Sequence, residues 1–187
     1  SAAFFGGARV AFFDGYFVLP HPGTQQLYIS GLYAGGVYDG TEFASDEASP
    51  DLTVALEVQR REMVVLGSRS GQLWFDAGTT DFPLAPIAGT SFTYGCAAAA
   101  SLRTLGGQFF WVATVADGAR CVMGLQGYEP VRISTPAIEY VLNGYSTVAD
   151  AIGWTYQEES HLFYALTFPT GNATWVYDTS TKLWHSR

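Results

Sequence analysis

Residues 163–187 read FYALTFPTGNATWVYDTSTKLWHSR. Phe163–Leu166 is apolar without a break, a Pro/Gly turn follows, and Trp175–Asp178 leads through a second turn to a short last segment. A strand that is apolar on both faces is one covered on both sides. An aromatic and β-branched strand suits a half-buried position beside it. The phrase therefore predicts three neighbouring antiparallel strands, and its meaning turns on whether it recurs.

It recurs three times upstream. Tyr16–Leu19, Met63–Leu66 and Phe109–Val112 match the first segment, ending at 19, 66 and 112 before the last copy ends at 166, in steps of 47, 46 and 54. Each is followed by a glycine-containing turn: HPGTQQ, SRSGQ, TVADGAR and PTGNA. Each turn leads to a second segment, Leu27–Ser30, Leu73–Asp76, Cys121–Gly124 and Trp175–Asp178, in steps of 46, 48 and 54. Shorter third pieces follow (GTEFAS, FPLAPIAG, EPVRIST, KLWHSR), and preceding segments such as LTVALEVQ and CAAAASLRT can supply a fourth. Four antiparallel strands in roughly 45–50 residues is the period of a propeller blade. The expected fold is all-β, a propeller-like array of about four four-stranded blades, with units at about 1–48, 49–90, 91–135 and 145–187. The small-residue run Cys96–Ser101 suits an innermost strand, where blades crowd together. Thr135 as cap and Pro136 at the first helical position predict one short helix, 136–142, ended by Asn143-Gly144. This helix and its loop account for the long step of 54, as packing detail or as a partner-binding excursion.

Composition narrows the function. The chain of 187 residues is 48% hydrophobic, 16% aromatic and only 14% charged, so it is a folded protein with much surface suited to other protein. Its formal net charge is −8, Lys182 is the single lysine, and no basic run exceeds Arg60-Arg61. That excludes the electrostatic footprint of a nucleic-acid binder. No apolar stretch approaches the length of a membrane-spanning helix.

Neither the Gly-His/Trp-Asp signature of one propeller type nor the fixed glycine pair of kelch repeats is present; Gly6-Gly7, Gly35-Gly36 and Gly106-Gly107 fall at unequal steps. Several stretches, however, name a family: QQLYIS, EFASDEASPDLTVALEVQRREMVVLGS, LWFDAGTTDFPL, GCAAAASL, GYEPVRISTPAIE and HLFYALTFPT with TWVYDTSTKLWHSR. Together, and in this order, they resemble the packaged-DNA stabilisation protein of short-tailed bacteriophages, also described as a tail accessory factor or tail hub. The resemblance implies a structural virion protein that forms a hexameric ring below the portal and its adaptor. It implies a role in retaining the packaged genome and in attaching the tail needle and tailspikes, with assembly in the bacterial host cytoplasm. The family protein is longer, so this chain is expected to be part of a larger propeller.

A search of the residues for chemistry predicts no enzyme: no catalytic residues, no cofactor and no metal. His21, His161 and His185 stand far apart without metal-ligand spacing. His161 reads as a surface or edge residue, and His185 beside Trp184 as part of a junction in which Trp175 and Trp184 pack. Cys96 and Cys121 read as buried reduced thiols, since nothing local activates them. GSRSG at 67–71 lacks the spacing of a nucleophile elbow. The acidic stretch Asp39–Asp51, with Glu42, Asp46 and Glu47, lacks a calcium loop's spacing and reads as a solvated loop. Asn172 sits in a glycosylation acceptor sequence but reads as a hairpin turn. Two other classes stay open on the residues alone: a carbohydrate-binding propeller and a glycoside-cleaving one. The latter needs paired carboxylates or an arginine cluster, and the eight arginines do not recur at a fixed blade position.

Overall fold

The computed structural model describes residues 3–45, 51–80 and 82–187. It contains four antiparallel sheets, each built from strands consecutive in the chain. The first comprises β1 (Ala11–Phe13), β2 (Tyr16–Pro20), β3 (Gln26–Gly31) and β4 (Ala34–Ser45). The second comprises β5 (Thr53–Gln59), β6 (Glu62–Gly67), β7 (Gly71–Asp76) and β8 (Leu84–Pro86). The third comprises β10 (Arg103–Leu105), β11 (Gln108–Thr114), β12 (Arg120–Gln126) and β13 (Glu129–Arg132), with β9 (Gly95–Cys96) pairing the far end of β11. The fourth comprises β14 (Ile152–Glu158), β15 (His161–Phe168), β16 (Ala173–Asp178) and β17 (Trp184–Ser186). The chain divides into two compact units, residues 1–93 with the first two sheets and 94–187 with the last two.

The sheets share a local device. In all four, the first and second strands are joined by a two-residue turn: Asp14-Gly15, Arg60-Arg61, Gly106-Gly107 and Glu159-Ser160. In the first, third and fourth both turn residues have positive φ, and in the second Arg60 does. Such turns match the right-handed twist of the strands they connect. The repeated Leu19, Leu66, Val112 and Leu166 all lie on the second strand of their sheets and are all buried. Counted from the turn, they are the fourth, fifth, fifth and sixth residues of the second strand's run, so strand is preserved while register drifts.

Parity from the turn decides what each side chain meets, because strand side chains alternate faces. In the first unit Val18, third after its turn, packs in one cluster with Met63 and Val65, second and fourth after theirs. In the second unit Phe110 and Val112, third and fifth, pack with Tyr164 and Leu166, fourth and sixth. The other faces of the second and third sheets are buried too, at Val64, Leu66, Phe109 and Trp111.

The small-residue run departs from its expected form. Only Gly95–Cys96 is a strand, and Ala99–Ser101 forms a turn of 3-10 helix. The Ser101 hydroxyl donates to Ala98 O at 2.7 Å and accepts from Val112 N at 2.9 Å, satisfying backbone that a continuing ladder would have paired. The first strand of that sheet is Arg103–Leu105 instead. The helix α1 (Pro136–Gly144) starts as expected, with Thr135 Oγ1 accepting from Ile138 N, and runs through Gly144 rather than stopping at Leu142. Ile138 and Leu142 bury one face in the second unit's core. Its C-terminal end is pinned to β12: Arg120 donates to the Leu142 and Tyr145 carbonyls, and Asn143 bonds both backbone groups of Arg120.

Candidate functional site

Two sheets keep one face open. On the fourth, Trp154 and Tyr156 of β14 and His161 and Phe163 of β15 share a face, since Tyr156 pairs with Phe163 and Glu158 with His161. Their rings form an offset-stacked row, with centroids 5.2 Å (Trp154–Tyr156), 4.8 Å (Tyr156–Phe163) and 6.0 Å (Phe163–His161) apart. Trp154 is 43% exposed, and its Nε1 donates to Thr167 Oγ1 at 3.3 Å. On the first sheet Phe12 and Phe17 lie side by side and exposed, with centroids 5.2 Å apart. Beside them Phe4 and Phe5 lean on Tyr38, His21 and Tyr28. Apolar patches of this kind mark contact surfaces.

His161 ends the row at an acidic anchor. Its Nδ1 lies 2.7 Å from Asp178 Oδ2, which also accepts from Thr181 Oγ1 at 2.9 Å, while Oδ1 accepts from Ser180 N at 2.8 Å. Asp178 is nearly buried, and burial alone would raise its carboxyl. The hydrogen bonds from His161, Ser180 and Thr181 outweigh that and hold it at about 2. Among the described residues no hydroxyl or thiol is hydrogen-bonded to the other ring nitrogen of His161. The pair ties the start of β15 to the turn that follows β16. Sequence reading placed His161 at an edge but missed Asp178, 17 residues away; only the register of β15 against β16 brings them together.

The remaining candidates are scattered. His21 meets Phe5 in a tilted ring contact and Tyr28 edge-on in the first unit, and His185 is exposed on β17. Trp175 donates to Tyr145 Oη at 3.1 Å and Trp184 to the Ile133 carbonyl at 2.9 Å, both packed on the second unit's core. Cys96 and Cys121 are buried without a disulfide, and both pair with Ala113, one from each side. Burial first, against a favourable Arg132 charge, pushes the Cys121 thiol to about 11. In the acidic stretch Asp39 accepts from Thr41, and Asp51 accepts from the Arg69 and Ser70 amides, closing the 68–70 turn. Asp46, Glu47 and the side chain of Glu42 lie outside the described residues. Asn172 sits in the β15–β16 turn with φ +46°. Among the described residues no three His, Cys, Asp or Glu side chains are grouped to hold a metal. No helix among them is long and apolar enough to cross a membrane.

A cleft of about 260 Å³ opens between the third and fourth sheets, lined by apolar side chains and by Gln108, Gln126, Tyr177, Thr179 and Lys182. Nothing in the sequence pattern had linked these positions, which lie on β11, β12, β16 and the turns beyond.

Comparison with known proteins places this architecture. Residues 7–186 match the protein-family model described as "Bacteriophage P22 Gp10, beta-propeller". No curated protein matches the chain. Among solved structures it is similar to the N-terminal domain of Nup159, at 10% identity and a TM-score of 0.46, over 96% of this chain and 46% of that one. It is also similar to a putative exported protein from Bacteroides fragilis, at 11% identity and a TM-score of 0.36, over 98% of this chain and 70% of that one. This chain thus spans less than half the length of the Nup159 domain it matches. With four consecutive-strand sheets and a family match over nearly its whole length, the chain belongs to the bacteriophage packaged-DNA stabilisation family, the structural β-propeller proteins of short-tailed phages.

Proposed function

We propose that the four sheets are blades of one propeller and that the protein acts in the tail hub of a short-tailed phage. In this reading it assembles in the bacterial host cytoplasm as a homo-oligomer, a hexameric ring in the intact protein. It then docks against the portal adaptor, helps close the portal vertex on the packaged DNA, and offers attachment surfaces for the tail needle and tailspikes. The family match over residues 7–186 is the observation that carries it. The open aromatic faces of the first and fourth sheets and the low charged fraction support a protein made for protein contacts. The role needs no catalysis, cofactor or metal. A carbohydrate-binding role is less well supported, because the Tyr156 and Phe163 rings each have ring partners on both sides, leaving only the end of the row at Trp154 open to a sugar.

Particles assembled without the full protein, then with it restored, test the proposal. Without it, heads should fill with DNA but leak it, and should lack needle and tailspikes. Restoration should repair all three defects. Stable, fully tailed particles in its absence would overturn the reading.

A further inference from the structure

The cleft of the second unit has the chemistry of a binding site. Leu105, Phe110, Ile133 and Leu162 supply the apolar part of its lining. The Gly106-Gly107 turn brings its lip close to the fourth sheet: a Cβ on Gly106, at φ +57°, would stand 3.0 Å from Leu162 Cδ1. On the opposite wall the Tyr177 ring is held between Phe110 and Trp184, at centroid distances of 6.4 and 5.2 Å. Trp184 is itself fixed by its bond to the Ile133 carbonyl. The walls are therefore braced before any ligand arrives, which lowers the entropy cost of binding.

Three polar features converge on this lining. Tyr177 is only 6% exposed, yet its hydroxyl has no hydrogen-bond partner among the described residues. The oxygen itself is not fully buried, so it opens on the cleft rather than being walled off without a partner. Burial, with the neighbouring Asp178 charge adding to it, pushes the phenol up, so it stays protonated and can donate. Lys182, the only lysine of the chain, lines the rim and forms no ion pair among the described residues. It is presented by a turn that Asp178 ties down through Ser180, Thr181 and its own carbonyl, which accepts from Lys182 N at 2.8 Å. Gln126 adds an amide group, and Gln108, which has a partner within the chain, lines the cleft beside it. Among the described residues no acidic side chain lines the cleft, although Asp178 adjoins Tyr177.

A phosphate would call for more than one cation and for a polar lining. One ammonium, one phenol and amides beside apolar side chains suit a single carboxylate on a methylene stem. We propose that this cleft is a docking site for an acidic side chain, a glutamate flanked by apolar residues, inserted by a partner protein. The volume fits one or two side chains rather than a folded element. The inference deepens the attachment role proposed above and rests on it for the partner being a protein.

Nuclear magnetic resonance titration of the chain with end-blocked peptides measures it without any phage partner. Acetyl-Leu-Glu-Leu-amide at about 10 mM, enough to saturate a millimolar site, should shift the side-chain amides of Gln108 and Gln126 and the backbone amide of Gly106. The glutamine analogue should leave them unmoved. Tyr177→Phe keeps the ring packing and should weaken binding about tenfold or more, as loss of a hydrogen bond to a charged group does. Lys182→Gln should weaken it about threefold. Shifts only with a peptide bearing a free terminal carboxylate would replace the side chain by a chain end and overturn the proposal. So would no shifts at all, or shifts indifferent to both substitutions. A negative titration removes the cleft and leaves attachment through other surfaces standing. Conversely, peptide binding with tail assembly intact in the protein's absence would keep the site and remove the hub role.

Discussion

Asp178 Oδ2 lies 2.7 Å from Nδ1 of His161, and the same carboxylate caps the turn that follows β16. One side chain thus ties the start of β15 to the end of β16. Because its carboxyl is held at about 2 in the folded chain against an ordinary 3.8, its contribution to stability is present above pH 3.8 and is lost as pH falls through about 2. Asp178→Asn removes the titrating group but keeps an acceptor for Ser180 N. Urea midpoints of wild type and variant should differ at neutral pH and converge as pH falls through that window. A difference independent of pH would mean that the charge contributes nothing.

The junction of the third and fourth sheets is backbone against backbone. A Cβ on Gly153 would lie 2.3 Å from Ser101 O, which also accepts from the buried Tyr164 hydroxyl at 2.7 Å. No rotamer relieves such a contact, so Gly153→Ala should cost about 3 kcal/mol, the upper end of overpacking. Ser101→Ala leaves Val112 N without its partner and should cost about 1–3 kcal/mol. Chemical denaturation followed by tryptophan fluorescence measures both. A neutral Gly153→Ala would show that this approach is not close in solution.

The repeat was legible because strand composition carried it: the apolar second strands Met63–Leu66 and Phe109–Val112 and the aromatic third strands stand out in any window. The Thr135-Pro136 helix start was legible for a different reason, since capping is local chemistry. The true phase of the repeat was not legible. It lies in the turns at 14–15, 60–61, 106–107 and 159–160, whose residues range from Gly-Gly to Arg-Arg, so nothing in composition marks them as equivalent. Cys96–Ser101 misled for a related reason. Small apolar residues fit a crowded strand or a tight turn equally well, and the hydroxyl of Ser101 decides for the turn. Of the polar groups discussed here, His161–Asp178 and the Tyr177–Lys182 cleft depend on pairing across strands, which spacing along the chain does not encode.

The core positions on equivalent strands should respond alike despite their register drift. Leu66→Ala and Leu166→Ala each empty a fully buried site, one in each unit. Each should cost about 2–5 kcal/mol. Thermal melting of the single variants measures this, and a cost below about 1 kcal/mol at either site would place that residue outside a packed core.

Cys96 and Cys121 face each other across Ala113, so their Cα atoms are two inter-strand spacings, about 10 Å, apart. A disulfide needs them within about 7 Å. Oxidation of the folded protein should therefore leave both thiols free. With the Cys121 thiol pushed to about 11, alkylation at neutral pH should be slow until urea unfolds the chain. Mass spectrometry of iodoacetamide-treated protein, native and unfolded, counts the modified thiols. Rapid labelling of the native form would contradict the burial of this sheet.

The proposed part in DNA retention does not require gripping DNA, and the charge of this chain predicts that it does not. Nonspecific affinity for duplex DNA comes from cations that release counterions from phosphates. Here nine cations face seventeen carboxylates, and two described arginines, Arg9 and Arg132, are engaged by Glu57 and Glu139. Summed over the surface, a charge of −8 repels the polyanion. Fluorescence anisotropy with a labelled duplex at about 0.15 M salt should show no submicromolar complex, and lowering the salt should not create one. A tight complex that weakens steeply as salt rises would reveal a basic surface that the net charge conceals, and would give the proposed retention role to direct binding rather than to protein contacts.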